Sequence, residues 1–222
     1  MTKRQPSQPM PVAVLLSGTG RTLDNLLARI ESDRLPIRIA RVISSHAGVR
    51  GLQIAADAGI DHRVVAPGDY RSVEQYSRAV FESCREVAAR LVVMAGFIRF
   101  VRIPSDFDGR VVNIHPSLIP AFCGKGYYGS RVHRAVLEYG VKLTGCTVHF
   151  VDNQYDHGPI IMQQAVPVLD GDTAERLAAR VFEAECQLYP AAIAAIAANR
   201  VHIEDRWVRI DPVPNAAPEE TS

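Results

Sequence analysis

An asparagine, a histidine and an aspartate carry the most chemistry in this chain. Asn113 and His115 stand two apart in Asn113-Ile114-His115-Pro116-Ser117-Leu118, at the end of a short apolar run. In extended backbone, residues two apart face the same side. One amide donor and one imidazole are therefore expected in one cleft. Asp156 lies in Asp152-Asn153-Gln154-Tyr155-Asp156-His157-Gly158-Pro159, between two apolar runs. A carboxylate framed by apolar residues needs a partner. An amide, an imidazole and a carboxylate suit attack of an amine on a carbonyl. The first two can stabilise the oxyanion, and the third can orient the imidazole or move the proton the amine loses. The competing reading is a capping Asn, a surface His and a turn Asp.

A second group is Ser17-Gly18-Thr19-Gly20-Arg21-Thr22, between an apolar run and an amphipathic one. At a strand-to-helix junction, backbone N–H groups and the helix dipole suit a phosphate. Arg21 adds charge and Thr22 a hydroxyl. A bare tight turn is the alternative. The third glycine of a dinucleotide fingerprint is replaced by Leu23, and the run ending Ile43-Ser44-Ser45-His46 lacks the acid that holds a ribose. A phosphorylated small molecule is thus favoured over NAD.

Periodicity supplies the elements that must position these groups. Strands are predicted at Val12–Leu16, Ile37–Ser44, Arg63–Ala66, Leu91–Ala95 and Arg110–Asn113, the first and fourth of them buried. Helical spacing fits Arg21–Ile30, about Val49–Ala58 and about Val73–Arg90. This alternation predicts an α/β fold: a Rossmann-like, mostly parallel twisted sheet with helices on both faces, in a single domain over 11–210. Residues 1–10 and 211–222 read as flexible tails. Further on, Arg131–Tyr139 reads as helix, Lys142–Val151 and Ile160–Leu169 as an extended pair, and Thr173–Ala198 as a helix interrupted near Pro190. Two short strands close the pattern at Val201–Ile203 and Trp207–Ile210.

Composition bounds the function. The chain has 222 residues, 47% of them hydrophobic, enough for one full core. With 25 basic and 24 acidic residues it carries no general nucleic-acid footprint. No apolar run approaches the roughly 20 residues that span a bilayer. Cys84, Cys123, Cys146 and Cys186 form no C-x-x-C pair and read as reduced thiols in a cytoplasmic protein. Cys123 could be a nucleophile, though an ordinary thiol is the plainer reading. His133, His149 and His157 could join Cys123 or Cys146 as metal ligands, but no zinc-type spacing is present, and no metal is expected. The run Ala191–Ala198 reads as a packed helix or a subunit contact, with a monomer or weak homodimer expected.

Four segments, SGTGRTL at 17–23, VVMAGFIR at 92–99, NIHPSLIP at 113–120 and TGCTVHFVDNQYDHGPII at 144–161, occur in one order. Together they resemble the phosphoribosylglycinamide formyltransferases, over roughly residues 12–210. The resemblance implies transfer of a formyl group from 10-formyltetrahydrofolate, as co-substrate, to 5-phosphoribosylglycinamide in purine synthesis. It implies catalytic roles for Asn113, His115 and Asp156. It assigns Gly20, Arg21, Thr22 and Glu185 to the amine substrate. It assigns Ile98, Arg99, Phe100, Val101, Asn113 and Asp152 to formylfolate, with loop 152–157 closing over the folate. Small molecules are the implied partners, without nucleic acid or membrane.

Two departures stand out. After Pro120 the chain runs through Ala121-Phe122-Cys123-Gly124-Lys125-Gly126-Tyr127-Tyr128-Gly129-Ser130, longer than the usual Pro-Gly connection, and Lys125 is a candidate for a phosphate. The arginine expected at the folate tail has Arg71 as its nearest candidate. Hydrolase relatives usually add an N-terminal domain and tRNA-acting ones a C-terminal barrel; the start near the first strand and the short run after Ile210 lead us to expect neither. A non-catalytic folate- or nucleotide-binding module is the reading from another class.

Overall fold

A computed structural model of the chain describes residues 8–32 and 35–213. In chain order the elements are β1 (Met10–Leu16), α1 (Arg21–Ser32), β2 (Ile37–Ser44), α2 (Arg50–Asp57), β3 (His62–Val64), α3 (Val73–Arg85), β4 (Leu91–Met94) and β5 (Val111–His115). They continue with α4 (Ser130–Tyr139), β6 (Leu143–Phe150), β7 (Ile160–Pro167), α5 (Ala174–Ala197), β8 (Val201–Glu204) and β9 (Trp207–Ile210).

Seven strands form one sheet in the order β3-β2-β1-β4-β5-β6-β7. The first five are parallel, and β6 and β7 join antiparallel. The expected mostly parallel α/β sheet is therefore present, with an antiparallel edge. Strand order reverses between β1 and β4, and ligands of open α/β sheets collect outside such a switch point. The central strands β1 and β4 are apolar throughout because both faces are covered. Val12, Val14 and Val93 pack with α1 and α5 on one face; Ala13, Leu15 and Val92 pack with α3 on the other.

Several boundaries differ from the sequence expectation. β1 starts at Met10, which the first tail had included; residues 1–7 and 214–222 lie outside the described residues. α3 stops at Arg85 instead of Arg90, since Ala88 takes a positive φ of 48° and Ala89 turns back toward Cys84 O. β5 reaches two residues further, to His115, so Asn113 and His115 both lie inside the strand. The extended pair is a true antiparallel ladder, with Thr147 opposite Gln163.

α5 runs unbroken through Pro190, against the expected interruption. A proline inside a helix removes one N–H and leaves the carbonyl four residues back without its partner. Here that carbonyl belongs to Cys186, and it accepts from Arg29 Nη2 of α1 at 3.5 Å. Pro190 is buried, so tertiary packing holds the helix through the defect. Tyr189 beside it is buried and donates to Met94 O and Val112 O, both at 3.0 Å. That hydroxyl fastens α5 across the ends of β4 and β5.

Candidate active site

The glycine loop leaves β1 at the switch point. Ser17 N donates to Gly96 O at 3.2 Å, which joins this loop to the segment after β4. Gly20 O accepts the first helical bond of α1, from Asp24 N. Only glycine fits at position 20: its φ is 75°, and a Cβ there would lie 2.5 Å from Gly51 Cα. The resulting pocket is lined by residues 17–22, by Ala95, Gly96 and Ile98, and by Phe182 and Glu185 of α5. Gly20, Arg21, Thr22 and Glu185, which the family resemblance assigns to one ligand, thus share one concave site.

Glu185 reaches this pocket because it stands one turn before Tyr189, on the same helical face. Burial pushes its carboxyl up to about 7, and the Arg21 guanidinium opposes that rise. Arg21 itself stacks 3.7 Å above the centre of the Phe182 ring. A half-buried carboxyl and a guanidinium held on an aromatic face thus line the same pocket.

A second cleft adjoins the first and shares Gly96 and Ile98 with it. Ile98, Arg99, Phe100 and Val101 line one wall, Asn113 and His115 the floor, and Asp152 and Asp156 the far side. Loop 152–157 lies against the wall, with the Phe100 and Tyr155 ring centres 5.1 Å apart. Asn153 Oδ1 accepts from Ile103 N at 2.8 Å and pins the same loop. Asp156 adopts a positive φ of 48°, a conformation that aspartate tolerates better than most residues.

Within this cleft, His115 Nε2 donates to Phe122 O at 2.9 Å, because a carbonyl can only accept. His115 Nδ1 faces Asp156 Oδ2 at 3.5 Å. The same carboxylate oxygen accepts from Gly124 N at 2.8 Å. The main chain of the long connection after Pro120 thus touches both the imidazole and the carboxylate.

A fourth member, His149, had been weighed only as a metal ligand. It sits directly across the β5–β6 ladder from Asn113, and such pairs project side chains to one face. Its Nδ1 donates to Phe150 O at 2.8 Å, so Nε2 is bare and accepts from Asn113 Nδ2 at 3.2 Å. Burial lowers its basicity, which keeps it neutral in this acceptor role. One hydrogen of the Asn113 amide is thereby used, and the other is left for the cleft. Once β5 and β6 are paired antiparallel, the register alone points to His149; the sequence left that pairing undetermined.

Two candidates are not brought to the site. Arg71 is exposed, lines neither cleft and engages Gln75 through its backbone N–H. Lys125 is exposed and lines neither cleft, because its loop flanks the Asn113 side and not the glycine loop. Tyr127 and Tyr128 of that loop do line the second cleft. Among the described residues, no group of three His, Cys, Asp or Glu side chains gathers as for a metal, and no helix is long and apolar enough to cross a membrane.

The formyl transferase family model matches residues 10–193. The trifunctional purine biosynthetic protein adenosine-3 of Gallus gallus is 43% identical over 86% of this chain. The chain spans about a fifth of the length of this and similar trifunctional relatives. The phosphoribosylglycinamide formyltransferase of Escherichia coli K12 is 34% identical, over 91% of this chain and 94% of its own. The crystal structure of glycinamide ribonucleotide transformylase 1 from Symbiobacterium toebii superposes with a TM-score of 0.86 at 43% identity, covering 92% of this chain and 95% of that one. A formyltetrahydrofolate deformylase from Pseudomonas syringae superposes at 0.80 with 27% identity, covering 92% of this chain and 67% of that one. The chain belongs to the formyl transferase family and, within it, to the phosphoribosylglycinamide formyltransferases.

Proposed function

We propose that this chain transfers the formyl group of 10-formyltetrahydrofolate to the amine of 5-phosphoribosylglycinamide, giving formylglycinamide ribonucleotide and tetrahydrofolate in purine biosynthesis. Residues 11–210 form the formyltransferase domain, acting in the cytoplasm. The observation that carries the reading is the contact of two clefts. An amide, an imidazole and a carboxylate meet in one, and it opens onto a glycine-loop pocket along Gly96 and Ile98. The phosphate binds at Gly20, Arg21 and Thr22, with Glu185 toward the glycinamide. Formylfolate lies along residues 98–101, Asn113 and Asp152.

In this scheme the amine nitrogen attacks the formyl carbon and a C–N bond forms. The carbonyl electron pair moves to oxygen. The free Nδ2 hydrogen of Asn113 and the His115 ring stabilise that oxyanion. Asp156, 3.5 Å from the ring and held by Gly124 N–H, takes the amine proton. Collapse breaks the bond to the folate nitrogen, which leaves with that proton. No metal takes part.

The test incubates purified protein and 10-formyltetrahydrofolate with and without 5-phosphoribosylglycinamide, following both folate and amide products. Tetrahydrofolate appearing only with the amine, matched by formylated amide, is expected. Formyl loss that ignores the amine would make the chain a hydrolase. Binding of both compounds without reaction would make it a binding module.

A further inference from the structure

Where a dinucleotide-binding strand ends in an acid, β2 ends at Ser44 and leads into Ser45-His46, and these residues build a hydrogen-bond chain between the two clefts. Arg99 Nη2 lies 2.9 Å from His46 Nε2. His46 Nδ1 lies 2.9 Å from Ser45 Oγ, and Ser45 Oγ lies 2.7 Å from Ser17 Oγ. Ser17 Oγ also accepts from Ile98 N at 3.1 Å. The histidine is fixed from behind, since Ser44 Oγ accepts from its N–H and donates to its carbonyl.

The direction of every bond follows from donor chemistry. A guanidinium only donates, so His46 Nε2 is the acceptor and the ring proton sits on Nδ1. That proton goes to Ser45 Oγ. Ser45 is only 1% exposed, and Ser17 is the remaining partner shown for its hydroxyl. A buried hydroxyl hydrogen needs an acceptor, so Ser45 donates to Ser17. Ser17 Oγ then accepts twice, from Ser45 and from Ile98, and its own hydrogen is unspent. Ser17, unlike Ser45, lines the glycine-loop pocket. Arg99, at the other end, lines the second cleft.

We infer that Ser17 is a hydroxyl donor to the phosphate in the glycine-loop pocket, held in that polarity by Ser45, the Nδ1–H form of His46 and Arg99. The inference rests on the phosphate reading of that pocket. It makes Arg99 a positioning residue for the neighbouring site as well as a wall of its own. A ligand that draws Arg99 away from His46 releases the ring tautomer and loosens the Ser17 donor. The two clefts thereby sense each other without a change of fold.

Two measurements test this on the full chain, and neither depends on turnover. Nitrogen-15 NMR of labelled histidine reports the His46 tautomer, assigned with a His46→Gln variant. Nδ1–H is expected in the native protein, with a shift toward a tautomer mixture in Arg99→Met. Calorimetry with ribose 5-phosphate reads the pocket. Ser17→Ala should weaken binding about tenfold, the range for a lost hydrogen bond to a charged group. Ser45→Ala and Arg99→Met should weaken it by a smaller factor. An Nε2–H signal for His46, or unchanged affinity in Ser17→Ala, overturns the inference. Ribose 5-phosphate failing to bind the native protein at all overturns the phosphate reading beneath it, and with it this proposal. Absence of formyl transfer with binding and tautomer as expected overturns only the reaction.

Discussion

Asn113 is asked to do two things with one amide. One Nδ2 hydrogen goes to His149, and the other faces the cleft. Asn113→Ala therefore removes an oxyanion donor and frees the buried His149 Nε2 at once. Loss of one such donor costs about 10²–10³ in kcat. We expect a fall of that size in steady-state assays, with KM for both substrates changed far less. An equal rise in KM with kcat preserved would mean that Asn113 only binds. Glu185 gives a residue-scale prediction of the opposite kind, on stability. Burial raises its carboxyl to about 7 from an ordinary 4.5. Between those values the folded state holds a proton that the unfolded state has released, so stability falls as pH rises through this window. Glu185→Gln carries no such proton. Urea denaturation should find the variant equal to native protein below pH 4.5 relative to any constant offset, with a gap in its favour that opens up to about pH 7 and then stays level. A gap that does not vary with pH would place the carboxylate in contact with water.

At the scale of elements, the β8–β9 hairpin lies beyond the residues the family model matches, yet it touches loop 152–157 beside the second cleft. Arg206, in the hairpin turn, donates through Nη2 to His157 O at 2.9 Å and approaches His157 Nε2 at 3.2 Å. His157 Nδ1 in turn meets Asp152 Oδ2 at 2.7 Å. These bonds are exposed and individually worth about 1 kcal/mol or less. Arg206→Ala should leave the melting temperature within a few degrees, raise KM for formylfolate several-fold, and leave KM for the phosphorylated amine unchanged. A fall in kcat with both KM values steady would contradict a role in holding the loop. The sequence made the strands and helices of the parallel half legible, because their apolar runs follow their burial. It made Asn113 and His115 legible through their spacing of two. It hid His149 and Arg206, whose roles come from strand register and from a hairpin packing on a distant loop. Pro190 misled for a similar reason: the bond that rescues the helix runs from Arg29 to Cys186 O, residues 157 apart in the chain.

For the molecule as a whole, the sheet holds both clefts against one rigid seam. Ala95 N donates to Leu15 O, Ser17 N to Gly96 O and Ile98 N to Ser17 Oγ. Buried valines and leucines flank this seam on both faces of the sheet, each contributing about 1.5–3 kcal/mol when fully buried. The walls of the two clefts therefore share one stretch of backbone, residues 95–98, with Gly96 and Ile98 lining both. A ligand that binds only the folded state, at a hundred times its dissociation constant, stabilises by about 2.7 kcal/mol. In a chain of this size that raises the melting temperature by roughly 5–10 °C. Ribose 5-phosphate and 10-formyltetrahydrofolate can be added together without reaction, since no amine is present. If the seam is shared, the first ligand orders residues 95–98 and the second binds a prepared site. The combined shift at fixed concentrations should then exceed the shift calculated from the two separate dissociation constants. Linkage requires the same factor in the reciprocal titration, each ligand tightening the other equally. Shifts that match the separate constants in both directions would show two clefts that are neighbours in space but independent in energy.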